Sequence, residues 1–315
     1  MSAVTVEHLV KRYGSFTAVA DVSFDVPAGQ VTALLGPNGA GKTTIVEILT
    51  GLLAPSAGTV RVLGADPRPG GRQGRAWRAR IGLVLQSASL DLQLTVAEAL
   101  RLFARLYPRP LPVAGVLDAI GLTGDAGTRI GALSGGQRRR VDLGLGIIGR
   151  PELLFLDEPT TGLDPEARRQ LWGAIENLAA GGSTVLLTTH YMDEAQHLAS
   201  RLIVLTEGRI VANATPSQLR ADGTVPTIRL PLTGGAPTAD LPPAMAAHAD
   251  PEHGELLIRS ADVTADLESL VGWARRNRLD LTGLEVGPPS LEEAYLALTA
   301  RPGPAHLAQK EPCHV

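Results

Sequence analysis

The eight residues Gly36-Pro37-Asn38-Gly39-Ala40-Gly41-Lys42-Thr43 satisfy the pattern G-x-x-x-x-G-K-[ST] at every position. Residues of these types at this spacing can hold a polyphosphate. Gly36, Gly39 and Gly41 let the backbone wrap with its N–H groups facing inward, and a helix starting behind them adds the positive end of its dipole. Lys42 can then reach the β- and γ-phosphates, while the Thr43 hydroxyl is placed to ligate Mg²⁺. The chemistry is binding of a nucleoside triphosphate, and the loop is shared by many unrelated activities.

Two further segments bear on the same phosphates. Leu153-Leu154-Phe155-Leu156-Asp157-Glu158 is an apolar run ending in two carboxylates. In P-loop enzymes an acid at that place helps hold Mg²⁺, which points to Asp157, and Glu158 one residue on can face the γ-phosphate and polarise a water. In Leu133-Ser134-Gly135-Gly136-Gln137-Arg138-Arg139-Arg140-Val141, Ser134 and Gln137 have capping-box spacing, so a helix is predicted to start there. Gly135 and Gly136 in its first turn leave the N–H groups bare. The chain therefore carries a second phosphate-binding device beside one complete P-loop.

The elements that must position these groups follow from the patterning. Val31–Leu35 reads as a buried strand, and Thr43-Thr44-Ile45-Val46-Glu47-Ile48-Leu49 as a helix closed by Gly51. Short apolar runs at Leu153–Leu156, Val185–Thr188 and Leu202–Leu205 read as buried parallel strands. They alternate with amphipathic segments such as Pro165–Ala180 and Tyr191–Ala199, which is the rhythm of an α/β fold. Asp164-Pro165 reads as the cap and first residue of a helix. The texture changes after Leu219. Residues 221–254 hold six prolines and several glycines, and are expected to form a boundary rather than core. Beyond them Leu256–Ile258 and Leu279–Val286 read as strands and Val263–Arg276 and Ser290–Thr299 as helices, the last opened by the capping box Ser290-x-x-Glu293.

Composition narrows the classes. Of 315 residues, 44% are hydrophobic and 19% charged, with a net charge of −3. That balance gives no electrostatic case for nucleic-acid binding. Glu7 and His8 interrupt any secretory h-region at the N-terminus, and no stretch approaches the roughly 18 apolar residues of a membrane span. The one cysteine, Cys313, lies in the polar tail Gln309–Val315, one position too close to the end for a prenylation box. A free thiol there fits a reducing cytosol, and no covalent membrane anchor is expected.

Taken in order, these segments make residues 1–220 resemble the nucleotide-binding subunit of an ABC transporter. The resemblance implies a P-loop α/β cassette with a mainly parallel sheet, an antiparallel β part and a helical subdomain, over 1–222, the subdomain spanning about 87–150. It is followed by the Pro/Gly-rich segment 223–254, a small α+β domain at 255–300 and a tail at 301–315. The resemblance implies ATP and Mg²⁺ as ligands. Nucleotide contacts would come from Tyr13 stacking on adenine, from Gly36 through Thr44, and from Ser134, Gly135, Gly136 and Gln137 acting on a nucleotide held by a second subunit. It further implies Glu158 as catalytic base, with His190, Gln86 and Lys42 completing the catalytic set. Thr43, Gln86 and Asp157 would lie at the metal, and Asp164 in the D-loop. A second ATP-binding subunit, forming a homodimer, and a separate transmembrane permease are the implied partners. The place of action would be cytoplasmic, on the inner face of the membrane.

The ending Pro288-Pro289-Ser290-Leu291-Glu292-Glu293-Ala294-Tyr295-Leu296-Ala297-Leu298-Thr299 and the internal segments Thr188-Thr189-His190-Tyr191-Met192-Asp193-Glu194-Ala195 and Ile210-Val211-Ala212 resemble the daunorubicin-resistance type of ATP-binding subunit. That type implies export of drugs, antibiotics or other hydrophobic natural products, with lipid-linked glycan export as the alternative cargo. The pattern departs at Gln196–Ser200 and Leu205–Glu207. Other classes fit less well. Soluble ABC ATPases of translation or repair carry two cassettes, coiled coils or zinc clusters. A GTPase would need an [NT]-K-x-D box, and none of the three lysines (Lys11, Lys42 and Lys310) has Asp two residues on.

Overall fold

The computed structural model describes residues 2–68, 70–86, 91–221, 226–231, 241, 249–250, 255–260, 262–288 and 290–299. Cys313, the tail and most of the prolines between 221 and 254 lie outside them. The chain divides into two compact units, Met1–Pro216 and Ser217–Val315.

In the first unit β1 (Ser2–Tyr13) and β2 (Phe16–Pro27) form an antiparallel hairpin, followed by β3 (Val31–Leu35), α1 (Lys42–Leu49) and β4 (Ala57–Val62). Strands β2, β1 and β4 make a three-stranded antiparallel sheet. Then come α2 (Gly71–Arg78), β5 (Ile81–Val84), α3 (Val96–Ala104), α4 (Val113–Ala119), α5 (Gly135–Ile147) and β6 (Leu153–Asp157). The unit is completed by α6 (Pro165–Ala180), β7 (Thr184–Thr189), α7 (Met192–Leu198), β8 (Arg201–Thr206) and β9 (Arg209–Ala214). Among the described residues a six-stranded sheet runs in the order β5-β6-β7-β3-β8-β9, parallel except for the β8–β9 hairpin.

The apolar runs of the sequence become strands buried along their whole length in β3, β6 and β7. Layers on both faces explain why they are continuous rather than alternating. One face packs on α1, so that Leu34, Phe155 and Ile203 share a core with Ile45, Ile48 and Leu49 and with Val4 and Val6 of the antiparallel sheet. Residues 91–150 form the helical part, where Leu100, Val116 and Ile120 close around Gly144 of α5.

Register decides where the chemistry lies. Leu35 pairs with Thr189, Thr188 with Asp157, and Leu156 with Val84. Gly36, His190, Glu158 and Gln86 therefore all leave the sheet at one edge, at or just beyond the carboxyl ends of parallel strands, which is where α/β sheets place ligands.

In the second unit, α8 (Pro216–Ala221) begins at the division. It is followed by β10 (Thr227–Pro231), β11 (Ala249–Asp250), β12 (Glu255–Arg259), α9 (Val263–Asn277), β13 (Glu285–Gly287) and α10 (Leu291–Thr299). The antiparallel order is β11-β12-β10-β13. Leu270 and Trp273 of α9 pack against Ile228, Leu230, Leu256 and Ile258. Two expectations need correcting. The proline-rich stretch contains β10, an interior strand of this sheet, with Ile228 and Leu230 in the core. The strand expected over Leu279–Val286 begins only at Glu285, because the Asp280 carboxylate accepts from the Thr282 N–H at 3.0 Å and the Thr282 hydroxyl at 2.7 Å, folding the segment into a turn. The Ser290/Glu293 capping box is present with both bonds, at 2.6 and 3.1 Å. Among the described residues no helix is long and apolar enough to cross a membrane.

Candidate active site

The loop after β3 turns into α1 at Gly41, which caps the helix with φ +102° and without a side-chain cap. A Cβ there would sit 2.5 Å from the Ala18 carbonyl oxygen, so only glycine permits both the turn and the approach of β2. The loop is braced from the β8–β9 turn, where the Gly208 N–H donates to the Ala40 carbonyl at 3.1 Å. Lys42 is 4% exposed and its Nζ lies 2.9 Å from the Gly36 carbonyl, 3.1 Å from that of Pro37 and 3.2 Å from Glu158 Oε1. The Thr43 hydroxyl donates to Asp157 Oδ2 at 3.2 Å, and Thr188 Oγ1 donates to Asp157 Oδ1 at 2.6 Å.

A cavity of about 430 Å³ opens above this loop, within the range of ligand pockets. It is lined by Asn38, Gly39, Gly41, Lys42, Thr43 and Thr44 of the loop and α1, by Tyr13, Phe16 and Ala18 of the hairpin, and by Gln86 and Glu158. Tyr13 is 46% exposed, with Lys11 Nζ 5.0 Å from its ring centroid.

Glu158 collects the most partners. Besides Lys42, its carboxylate accepts from Thr161 Oγ1 at 3.2 Å and Gln86 Nε2 at 3.5 Å, and His190 Nδ1 lies 3.3 Å from Oε1. The histidine contact is an ion-pair distance without hydrogen-bond alignment. Burial alone would raise this carboxyl, but the Lys42 ammonium and His190 outweigh it and hold it below the usual glutamate range. The Glu158 backbone has φ +46°, unusual for a residue with a side chain, and its N–H donates to both the carbonyl and the hydroxyl of Thr188. Strain of this kind persists only where neighbours over-determine it.

Ser134 caps α5, and both bonds of its capping box with Gln137 are present, at 2.9 and 3.2 Å. Ser134, Gly136 and Gln137 line a second cavity of about 300 Å³ together with Asp164, Ala167 and Gln170. It shares no lining residue with the first. A Cβ on Gly136 would meet the Ala167 Cβ at 2.5 Å, so the starts of α5 and α6 pack in direct contact. Asp164 caps α6, accepting from the Glu166 and Ala167 N–H groups at 3.0 and 2.9 Å. The structure thus brings Tyr13, residues 36–44, Gln86, Asp157, Glu158 and His190 together. It sets Ser134–Gln137 and Asp164 apart from them.

Sequence reasoning missed Phe16, Thr161, Thr188 and Arg139. Arg139 had a signal: it lies three residues after Gly136 and four before Leu143, in the row that α5 buries.

Fold and site together define a P-loop ATPase cassette. The model of the ABC transporter family matches residues 19–161, and that of the ABC transporter domain-containing protein-like C-terminal domain matches 226–290. Daunorubicin/doxorubicin resistance ATP-binding protein DrrA of Streptomyces peucetius is 39% identical over 95% of this chain and 93% of its own. Nod factor export ATP-binding protein I of Rhizobium johnstonii is 39% identical over 95% of each. Among solved structures, the ADP conformation of MJ1267, an ATP-binding cassette of an ABC transporter, aligns at TM-score 0.61 and 27% identity, covering 68% of this chain and 91% of that one. The chain belongs to the ABC transporter family as an ATP-binding, ATP-hydrolysing subunit.

Proposed function

We propose that this subunit powers export of a hydrophobic natural product through a separate membrane permease, by pairing head-to-tail with a second copy around two ATP molecules. The observation that carries the pairing is the separation of two phosphate-binding devices into distinct cavities of one unit. A nucleotide on the P-loop of one copy would meet Ser134, Gly135, Gly136 and Gln137 of the other, with Asp164 beside them, and a two-fold axis makes two such sites. The export assignment draws on relatives whose names refer to daunorubicin resistance and Nod factor export, with a glycan-type cargo as the second reading. The permease places the subunit at the inner face of the membrane.

In the chemical step, a water attacks the γ-phosphorus as the bond to the β–γ bridging oxygen breaks, leaving ADP and phosphate. Glu158 orients that water and takes its proton, Lys42 stabilises charge on the transferring phosphoryl group, and Gln86 and His190 fix the Glu158 carboxylate and the γ-phosphate. Tyr13 holds the base by stacking. Thr43 and Asp157 present only oxygen donors, which fit a hard divalent cation. Mg²⁺ held there would neutralise phosphate charge.

Complementation tests the pairing. K42A breaks the P-loop half of a site, and S134R breaks the other half. Mixed dimers keep one intact site, so an equal mixture of the two inactive variants regains up to about a quarter of wild-type hydrolysis. A mixture that pairs on a sizing column yet stays as inactive as its components would refute head-to-tail sharing.

A further inference from the structure

We propose that Arg139 is a positioning residue for hydrolysis, locking the first turns of α5, the Gln86 turn and the Glu158 turn into one rigid piece. Arg139 is 8% exposed, and its guanidinium points away from solvent into the edge of the sheet. Nη1 donates to the Leu85 carbonyl at 2.6 Å and reaches that of Gln86 at 3.4 Å. Nε donates to the Pro159 carbonyl at 2.8 Å, and Nη2 to the carbonyls of Asp157 and Glu158 at 2.9 and 3.2 Å. One planar fork thus ties together the chain leaving β5 and the chain leaving β6. These are the turns that carry Gln86 and Glu158.

A buried cation held by carbonyls is costly, and its acid partner Asp142 stands 3.8 Å away. Burial pulls the guanidinium below its ordinary value, with Asp142, Asp157 and Glu194 opposing. A residue needed only to fill this space could be apolar. What an apolar residue cannot do is satisfy the carbonyls where two parallel strands end, or fix their relative positions. The effect on Glu158 is specific. Its left-handed backbone is held on the N–H side by Thr188 and on the carbonyl side by Arg139. Releasing the carbonyl side lets the peptide relax, and the carboxylate then leaves its place beside Lys42 and His190. A shift of about 1 Å at a reacting group costs on the order of a hundredfold in rate. Because Arg139 lies one turn beyond the Ser134 cap, movement of the capped end of α5 is passed directly to Gln86 and Glu158.

The inference rests on the reading of Glu158 as the residue that activates water, and the test separates the two. R139K keeps the charge but offers a single donor head, whereas R139M keeps the length and offers none. Full-length variants are compared by kcat and KM for MgATP, by affinity for a fluorescent ATP analogue and by Tm, with E158Q alongside. The expected result is a kcat for R139K lowered about tenfold to a hundredfold with nucleotide affinity held within about threefold, and a larger loss in R139M. Wild-type kcat in R139K with E158Q inactive overturns the Arg139 proposal alone, as does a loss of kcat and affinity together in proportion to lost folded protein. An active E158Q overturns the reading of Glu158 itself. If R139M fails to fold, R139K decides.

Discussion

Replacing Glu158 with glutamine should slow hydrolysis while tightening nucleotide binding, and the second effect follows from the geometry around Lys42. The substitution keeps the side chain's shape and removes its negative charge. Lys42 Nζ is shared between two loop carbonyls and Glu158 Oε1, the last at 3.2 Å. At that separation the gross attraction is about 5 kcal/mol for an effective dielectric near 20. Solvation offsets most of it, and this buried pair is taken to retain about 1–2 kcal/mol. A phosphate arriving at Lys42 competes with that interaction and is also repelled by the carboxylate. Both terms vanish in E158Q, so its ATP affinity should rise roughly 5- to 30-fold. Loss of the base lowers kcat by about 10²- to 10⁴-fold. Equilibrium titration with a fluorescent ATP analogue and phosphate-release kinetics read the two effects separately. Weaker binding in E158Q would show that Glu158 helps hold the nucleotide, and a kcat within about threefold of wild type would remove it from the chemistry.

Two other sites give checks of different kinds. Tyr13→Ala removes the exposed ring lining the cavity, and base stacking worth about 1–3 kcal/mol predicts a KM for ATP raised roughly 5- to 160-fold with kcat unchanged. A fall in kcat at constant KM would contradict the stacking role, and Tyr13→Phe should restore binding. Asp142 has its carboxyl pushed up to about 6 by burial, against the lowering influence of Arg139. The native state then holds this proton more tightly than the unfolded chain, so the group's contribution to stability falls as pH rises from about 4 to about 6. Asp142→Asn should therefore raise Tm relative to wild type more at pH 7.5 than at pH 4.5. A difference that is constant or larger in acid would sink the assignment.

Much of this was readable because it is local. The phosphate loop is a contiguous pattern, and α6 spans Pro165–Ala180 as expected because Asp164 and Pro165 fix its start within two residues. The strands β3, β6 and β7 carried apolar runs that only a doubly covered sheet accommodates. What was illegible depends on contacts between distant segments. Arg138, Arg139 and Arg140 are consecutive, and nothing in their types says that the middle one turns inward to five carbonyls. Thr188 looks like one more β-branched strand residue, yet its hydroxyl reaches both Asp157 and the Glu158 N–H. Strand β10 was hidden by proline density around it. Pro231 falls at its last residue, while Ile228 and Leu230 supply the buried alternation.

The strand order explains why these particular turns form one site. The P-loop follows β3 and the carboxylates follow β6, but these strands are not neighbours; β7 runs between them. With about 4.8 Å per strand, the ends of β3 and β6 stand about 10 Å apart. That gap is too wide for the loop and the carboxylates to meet at the strand ends themselves. It is bridged on one side by the start of α1, where Thr43 reaches Asp157, and by Lys42 reaching Glu158. It is floored by the end of β7, where Thr188 anchors both acids and His190 emerges. In this structure the gap is closed by the ion pair of Lys42 and Glu158 at 3.2 Å, with His190 Nδ1 3.3 Å from the same carboxylate oxygen, so an entering phosphate has to part the cation from the carboxylate. The spacing strand sets the roughly 10 Å between strand ends that a phosphoryl group and a water need once that pair is parted, and Arg139 ties the Glu158 turn to α5. The same interposed strand that keeps the P-loop from its carboxylates in the sheet therefore makes room for the reaction between them.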